Sequence, residues 1–133
     1  MIFLDTDFII NFYVKTNENH ERAKEIMKEM KNSDKIISNL VIMEVITVLN
    51  IKLKQDISLI SKVYEKLNKD YTIIGDISFY NEGFEILNKA LENNERIPLF
   101  DCVYMALMQE LGIKKIASFD KHFNNKENIE RTE

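Results

Sequence analysis

The sequence predicts an α/β fold in which helices cover a parallel sheet of about four or five short strands. Short apolar runs that end at polar residues alternate with longer segments whose apolar residues recur every three or four positions. With 3 Gly and 1 Pro, the chain has no Gly- or Pro-rich linker that would interrupt this alternation. Its 133 residues are a usual length for one domain, so we expect a single domain over residues 1–133.

The predicted elements are assigned in order from these patterns. Residues 1–4 form an apolar run that stops at polar residues, and a helix or turn is expected after it. Segments with one apolar and one charged face predict amphipathic helices, whereas residues 40–54 are apolar nearly all round and predict a buried helix. The predicted strands are residues 1–4, 35–39, 71–77 and 115–119. The predicted helices are residues 19–31, 40–54, 57–67, 80–91 and 99–111, the last ending at Gly112.

Composition excludes several classes of protein. Hydrophobic residues make up 45% of the chain and charged residues 30%, which is typical of a soluble globular protein, and no apolar run is long enough to cross a membrane. The lone cysteine, Cys102, excludes an internal disulfide and a multi-cysteine zinc site, and a reducing cytoplasm fits best. A net charge of -4 argues against broad nucleic-acid binding, so contact with a phosphate backbone would need a local basic rim or a metal.

Acidic residues stand directly after the predicted strands. Asp5 and Asp7 come after the first strand and Asp120 after the last, and in open parallel sheets ligands gather at these strand ends. Each acid also has a structural interpretation. Asp5 or Asp7 would cap the next helix, Asp101 would stabilise a helix first turn, and Asp120 would be a turn residue.

Glu44 is the acid that structure explains least. It lies in a helix whose neighbouring positions are all apolar, and an unpaired buried carboxylate costs several kcal/mol. No Lys or Arg stands one helical turn away, so Glu44 needs a distant partner or a cation.

A metal would explain the four acids together. Asp5, Glu44, Asp101 and Asp120 would repel each other if the fold gathered them, unless positive charge intervened. Ligation by oxygen alone favours Mg²⁺ or Mn²⁺. Such an ion makes a bound water acidic enough to hydrolyse a phosphodiester.

Four spaced motifs resemble the PIN domain, particularly the short VapC toxins of toxin–antitoxin pairs. The resemblance covers almost the whole chain and implies a PIN-like three-layer α/β/α fold. The motifs are residues 2–6 ending in Asp5-Thr6, Ser38 with Glu44, residues 100–106 with Asp101 and Ala106, and residues 117–123 with Ser118 and Asp120. Each motif alone is weak, and their order and spacing together are specific.

The resemblance implies cleavage of single-stranded RNA by a metal-activated water, leaving a 5′-phosphate. Asp5, Asp101 and Glu44 would hold the metal, Asp120 would complete the pocket, and Thr6 would orient Asp5. It also implies a homodimer and a cognate antitoxin whose C-terminal segment covers the pocket. Four basic residues near the motifs are candidate phosphate contacts: Arg96, Lys114, Lys115 and Lys121. Four apolar residues would face either a dimer partner or the core: Ile9, Ile10, Phe12 and Tyr13.

The chain departs from the family pattern at two places. Position 7 is usually a small polar residue, whereas Asp7 is a fifth acid, which we expect to cap the next helix rather than to bind metal. Residues 124–133 are more polar than the expected closing strand, so this end is expected to be short.

Three alternative functions remain open at this point. Asp5-Thr6-Asp7 is similar to the Asp-x-Asp start of haloacid-dehalogenase-type phosphatases, although these do not predict Glu44. A receiver-like signalling domain has an acidic Mg²⁺ pocket but needs a lysine where this chain has Asp120. The third alternative is an inactive PIN module that only binds RNA.

Overall fold

A parallel sheet forms the centre of the protein. In the computed structural model, which describes residues 1–126 and 128–133, five strands pair in the order β3-β2-β1-β4-β5. The strands are β1 (Ile2–Leu4), β2 (Lys35–Ser38), β3 (Thr72–Ile74), β4 (Lys115–Ala117) and β5 (Glu130–Thr132). Every neighbouring pair is parallel, which confirms the predicted α/β class.

Helices cover both faces of this sheet. They are α1 (Thr6–Tyr13), α2 (His20–Glu29), α3 (Asn39–Thr47), α4 (Ile57–Asp70), α5 (Tyr80–Glu92) and α6 (Leu99–Leu111). The chain steps from β1 to β2 to β3 in one direction and then returns to β4. Because crossovers between parallel strands are right-handed, α1 to α4 lie on one face of the sheet and α5 and α6 on the other. The result is the predicted three-layer arrangement.

The strand register places the acids that follow the first and last predicted strands side by side. Leu4 pairs with Ala117, and the backbone N–H of Asp5 donates to the carbonyl of Ala117 at 3.1 Å. The residues after β1 and β4 therefore meet at one edge of the sheet, which we call the carboxyl edge. Lys35 and Lys115 pair with Ile2 at the opposite, amino edge.

Helix α6 is held against α5 at very short range. A Cβ atom added to Gly83 would lie 2.7 Å from Cγ2 of Val103 and 2.9 Å from its Cα, so only glycine allows the two helices to pack this closely. At its other end, α6 stops at Gly112, whose φ of 69° is the left-handed conformation that the sequence predicts for a helix stop. This packing fixes the helix that carries Asp101.

Several predicted boundaries are wrong in detail. The strand predicted over residues 71–77 ends at Ile74, and Ile77 is 86% exposed in a 3₁₀ turn, Ile77–Phe79. The helix predicted over residues 40–54 is α-helical only to Thr47 and continues as a π-helical turn, Val48–Lys52. At the C-terminus, β5 is the expected short strand and pairs with β4.

The apolar residues proposed for a partner surface belong mainly to the core. Ile9 and Ile10 are buried, and Phe12 and Tyr13 are half-buried against the core, because α1 lies flat on the sheet. Their role in a dimer surface is therefore not supported. No helix among the described residues is both long and apolar enough to span a membrane.

Candidate active site

All four predicted acids line one cavity of about 250 Å³ at the carboxyl edge of the sheet. We call this cavity the acid cleft. Its other lining residues include Thr6 and Asp7 from the start of α1 and Lys52 from the π-helical turn. The acids come from four separate segments, so the fold gathers residues that lie up to more than a hundred positions apart in the chain. The constellation predicted from strand ends and the apolar helix is thus assembled.

Asp5 is fixed by the loop after β4. Its backbone N-caps α1, but its side chain makes no capping hydrogen bond. Instead, the Ser118 hydroxyl donates to Oδ2 of Asp5 at 2.7 Å, and Ser118 is itself fully buried. The same Ser118 oxygen accepts a hydrogen bond from the backbone N–H of Asp120 at 2.9 Å. Ser118 therefore couples the first acid of the cleft to the last.

Asp7 also faces this loop, and the expectation that it caps α1 is wrong. Its Oδ1 accepts from the backbone N–H of Phe119 at 3.2 Å and lies 3.3 Å from the Ser118 hydroxyl. Asp7 is the second residue of α1, so its side chain projects across the carboxyl edge rather than back to the N–H groups of its own first turn. It is a fifth acid of the cleft.

His122 bridges the two acids on the far wall. Its Nδ1 lies 3.0 Å from Oδ2 of Asp101 and 3.0 Å from Oδ1 of Asp120, and its backbone N–H donates to the latter oxygen at 2.8 Å. The sequence analysis assigned no role to this histidine. Its functional position is set by the 3₁₀ turn Lys121–Phe123, which returns the ring toward α6.

Glu44 is half-buried, and two hydroxyl groups satisfy it in place of a basic partner. Thr6 Oγ1 donates to Glu44 Oε1 at 2.6 Å, and the hydroxyl of Tyr104 donates to the same oxygen at 3.0 Å. The Thr6 hydroxyl therefore orients Glu44, whereas the sequence analysis assigned Thr6 to Asp5. Within the described part of the chain no hydrogen bond falls on Oε2, which leaves that oxygen available to a water or an ion.

Electrostatics in the cleft favour either protonation or a cation. Burial raises the pKa of Asp5 well above its ordinary value, and repulsion from Asp7 and Asp101 raises it further. Burial likewise raises the pKa of Asp7, against the lowering effect of the Phe119 N–H. Burial raises the pKa of Asp101 to about 7, although its hydrogen bond from His122 opposes the shift. These acids would ionise together at neutral pH only beside positive charge.

The donor set fits a hard divalent cation. Carboxylate oxygens of Asp5, Asp7 and Asp120 lie within 4.8 Å of one another, and ligand atoms of Asp101, Asp120 and His122 form a second such group. Asp120 belongs to both groups, which makes it the link between them. Oxygen-rich ligation of this kind suits Mg²⁺ or Mn²⁺. The sequence prediction included Asp5, Asp101 and Asp120 as ligands, favoured capping over metal binding for Asp7, and did not include His122.

Lys52 is a cleft residue that sequence reasoning missed. It lies eight positions after Glu44, and in an unbroken α-helix it would be rotated about 80° away from that residue. The wider π-helical turn, closed by the Leu53 N–H donating to the Val48 carbonyl, rotates less per residue and therefore reduces this angle. Lys52 therefore shares a cavity wall with Glu44 and Val48. Spacing on an ideal helix could not reveal it.

The four basic residues predicted as phosphate contacts do not line the acid cleft. Lys121 is exposed directly after Asp120, and Arg96 is exposed in the loop before α6, so both lie on segments that border the cleft. Lys114 and Lys115 precede or begin β4 and so lie at the amino edge. The length of the strand separates them from the acids at its other end.

Comparison with known proteins explains the arrangement. The family model of the PIN domain matches residues 2–129. The chain belongs to the PIN domain family. This membership disfavours the phosphatase alternative, which does not predict Glu44, and the receiver alternative, which needs a lysine where this chain has Asp120. A comparison with curated protein sequences finds no match.

Solved structures show the same PIN fold at low sequence identity. VapC20 of Mycobacterium tuberculosis, described as a sarcin-ricin loop cleaving toxin, is 20% identical over 91% of both chains with a TM-score of 0.78. A toxin–antitoxin complex from Klebsiella pneumoniae is 14% identical, covering 97% of this chain and 95% of the other, with a TM-score of 0.72. VapBC2 from Rickettsia felis, bound to a promoter DNA fragment, is 16% identical over 100% of both chains with a TM-score of 0.72.

We predict that the metal-free protein loses stability as pH rises. The pKa of Asp101 is about 7 in the folded protein against an ordinary value of 3.8, so the folded protein holds this proton more tightly than the unfolded chain does. The resulting stabilisation is complete below pH 3.8 and is lost as pH rises through 7. Thermal unfolding in EDTA should show Tm falling on the order of 5 °C between pH 5 and pH 8. Asp101→Asn should reduce this slope, and Mg²⁺ should raise Tm at pH 8. A slope unchanged by the substitution would contradict the assignment.

Proposed function

We propose that this protein is a metal-dependent endoribonuclease, the toxin of a VapBC-type toxin–antitoxin pair. The observation that carries the proposal is the acid cleft, in which five carboxylates and one histidine meet at the carboxyl edge of a PIN fold. The similar folds of proteins described as VapC and VapBC toxins support it. The raised pKa values support the need for a cation, since they show that the acids are costly without one.

The cleft has two groups of ligands for Mg²⁺ or Mn²⁺. Asp5, Asp7 and Asp120 form one, and Asp101, Asp120 and His122 form the other. A divalent ion held by these residues would supply an acidic water as the nucleophile and would stabilise negative charge on the phosphate oxygens. Glu44 faces the same cavity through a carboxylate whose Oε1 is already engaged. Its free oxygen is suited to hold a water or to accept the proton that the water loses.

The surrounding donors keep these ligands in place. Ser118 and the Phe119 N–H restrain Asp5 and Asp7, and Thr6 with Tyr104 restrains Glu44. Such partners fix ligand orientation, and their loss typically costs about 10- to 100-fold in affinity or activity. Tyr104 is fully buried, so its hydroxyl is a rigid donor.

Lys52 would position the substrate. It is the cation on the cleft wall among the described residues, and an ammonium group beside a row of carboxylates can bind a phosphate that those carboxylates would otherwise repel. The proposal that RNA is the substrate is supported by this pairing of acids with a lysine. Lys121 and Arg96 on the bordering segments are further candidates for backbone contacts.

The first test is cleavage of a mixed pool of structured RNAs by the purified protein with Mg²⁺ or Mn²⁺. We expect EDTA to stop cleavage, and Asp5→Asn, Glu44→Gln and Asp101→Asn each to lower its rate by about 100-fold or more, because each removes a charged group from the cleft. Circular dichroism should show an unchanged fold, since relieving repulsion does not destabilise it. Full activity in all three variants would exclude this site.

A second test concerns Lys52. Lys52→Gln should raise KM for RNA about tenfold with little change in kcat, because a charge-assisted contact to phosphate is lost. The control is Lys54→Gln, which removes the same charge two residues away, outside the residues that line the cleft. Equal effects of the two substitutions would show that only net charge matters.

We further propose that the protein is a homodimer that also binds a cognate antitoxin in the cytoplasm. An apolar groove of about 700 Å³ lies between α3, α5 and α6, lined by residues such as Met43, Ile77 and Phe100 that stay largely exposed. Patches of this kind are typical of interaction surfaces. A second copy would cover it with its own identical patch. The antitoxin proposal is supported by the toxin–antitoxin complexes of similar fold.

Analytical ultracentrifugation tests the dimer. Ile77→Glu should convert a dimer to a monomer, because it buries a charge in the proposed interface. Ile77 is 86% exposed in the single chain, so the substitution should not unfold it. Ile57→Glu is the matched control, since Ile57 is 74% exposed and lies outside the groove. A monomeric parent protein, or dissociation by both variants, would contradict the proposed surface.

A further inference from the structure

A third cavity, separate from the acid cleft, gathers positively charged side chains from several segments of the chain. It has a volume of about 550 Å³ and opens between α1, α2, α4 and the start of β2. Five lysines line it: Lys15, Lys24, Lys35, Lys62 and Lys66. In a chain of net charge -4 this concentration of one sign is unusual. We call it the basic cavity.

The lysines are brought together by the fold and not by a run of sequence. Lys15 comes after α1, Lys24 lies on α2, Lys35 begins β2, and the remaining two lie on α4. Lys62 and Lys66 are four residues apart, so they share one face of that helix. Four separate segments thus direct ammonium groups to one concave surface. The sequence contains no basic tract that would have predicted it.

Aromatic side chains form the apolar part of the same cavity. Phe12, Tyr13 and Tyr71 line it, and all three are half-buried. The hydroxyl groups of Tyr13 and Tyr71 are hydrogen-bonded at 2.8 Å, and the rings of Phe12 and Tyr13 meet edge to face at 4.8 Å. These contacts hold the rings in place, as a surface for stacking a base requires.

Little of the positive charge is neutralised within the chain. Asp70 is the acid among the lining residues, and its contact with Lys66 is a long 3.7 Å between half-exposed groups. Lys24 approaches Glu21 at the same distance. In the described part of the chain Lys15, Lys35 and Lys62 form no ion pair. An anion with several charges would relieve the mutual repulsion of these lysines.

The basic cavity lies at the amino edge of the sheet. Helix α1 runs from Thr6 in the acid cleft to Tyr13 in the basic cavity, and its 8 residues span about 12 Å. The start of β2 contributes Lys35 to the basic cavity, whereas the residue after β1 contributes Asp5 to the acid cleft. The two cavities are thus joined along one face of the molecule but share no lining residue.

We propose that the basic cavity binds a nucleotide segment of single-stranded RNA away from the bond that is cut. Phosphates of the backbone bind the lysines, and a base stacks on the exposed ring surface of Tyr71 or Phe12. Phosphates attract clustered lysines without regard to sequence, and aromatic rings stack any base, so this surface gives affinity rather than sequence choice. A concave cavity with rings in its wall suits a flexible single strand better than the flat surface of a membrane. This inference rests on the proposed function only in taking RNA as the ligand.

The experiment measures binding without cleavage. The Asp5→Asn protein in EDTA is titrated into a fluorescein-labelled single-stranded RNA of about 12 nucleotides, and anisotropy is recorded at several salt concentrations. Lys24→Gln/Lys62→Gln should weaken binding about tenfold or more and lower the slope of log K against log salt by about 1.4, as the loss of two phosphate contacts requires. The same substitutions in the active protein should raise KM and leave kcat unchanged.

The matched control is Lys28→Gln/Lys69→Gln, which also removes one lysine from α2 and one from α4, but from positions outside the cavity. We expect it to bind RNA like the parent protein. Equal losses of RNA affinity in both double variants would overturn the proposal. The proposal would also be overturned if free uridine monophosphate competed with the labelled RNA as strongly as unlabelled RNA does at the same nucleotide concentration. Because binding is measured in a variant that cannot cut, this outcome is independent of whether the parent protein cleaves RNA.

Discussion

The rest of this structure depends on one constraint, which is that several carboxyl groups are buried at one edge of a parallel sheet. The pairing of β1 with β4 brings Asp5 against the loop that holds Asp120, and burial leaves Asp5 too little water to ionise freely. The neighbouring segments supply hydrogen-bond donors that offset the cost of burying these carboxyl groups. Ser118 and the Phe119 N–H come from the β4 loop, Thr6 from α1, and Tyr104 from α6. Removing the Ser118 hydroxyl would leave Oδ2 of the buried Asp5 without the hydrogen bond that it accepts.

The acids were predictable because their positions depend on backbone topology alone. Strand ends and one polar residue in an apolar helix are visible in sequence, and the carboxyl edge of a parallel sheet gathers the residues that come directly after each strand. The partners of the acids were not predictable, because they depend on side-chain direction. Thr6 stands next to Asp5 in sequence but points to Glu44, and Asp7 reaches across to Phe119 rather than back along α1.

The errors at element boundaries have similar physical causes. Residues 71–77 are apolar enough for a longer strand, but Gly75 and Asp76 end it, and Asp76 accepts a hydrogen bond from the N–H of Leu40 instead of extending the sheet. The position of Lys52 in the cleft could not be predicted, because a π-helical turn changes the rotation between residues in a way that no propensity scale records. Lys114 is close in sequence to Asp120, yet a three-residue strand places the two at opposite edges. Distance along an extended strand grows quickly with each residue.

The separation of charge between the two edges gives the molecule a property that its net charge of -4 does not describe. Five carboxylates line the acid cleft at the carboxyl edge and five lysines line the basic cavity at the amino edge, so these two groups of charge form an electric dipole directed roughly along the strands. In the field of a polyanion such a dipole experiences a torque that turns its positive end forward, even though the net force on the whole molecule is repulsive. Under the proposed binding of RNA at the basic cavity, the lysine-bearing end would set the orientation of the first encounter, and the acids would approach the polymer only after the molecule had been held there.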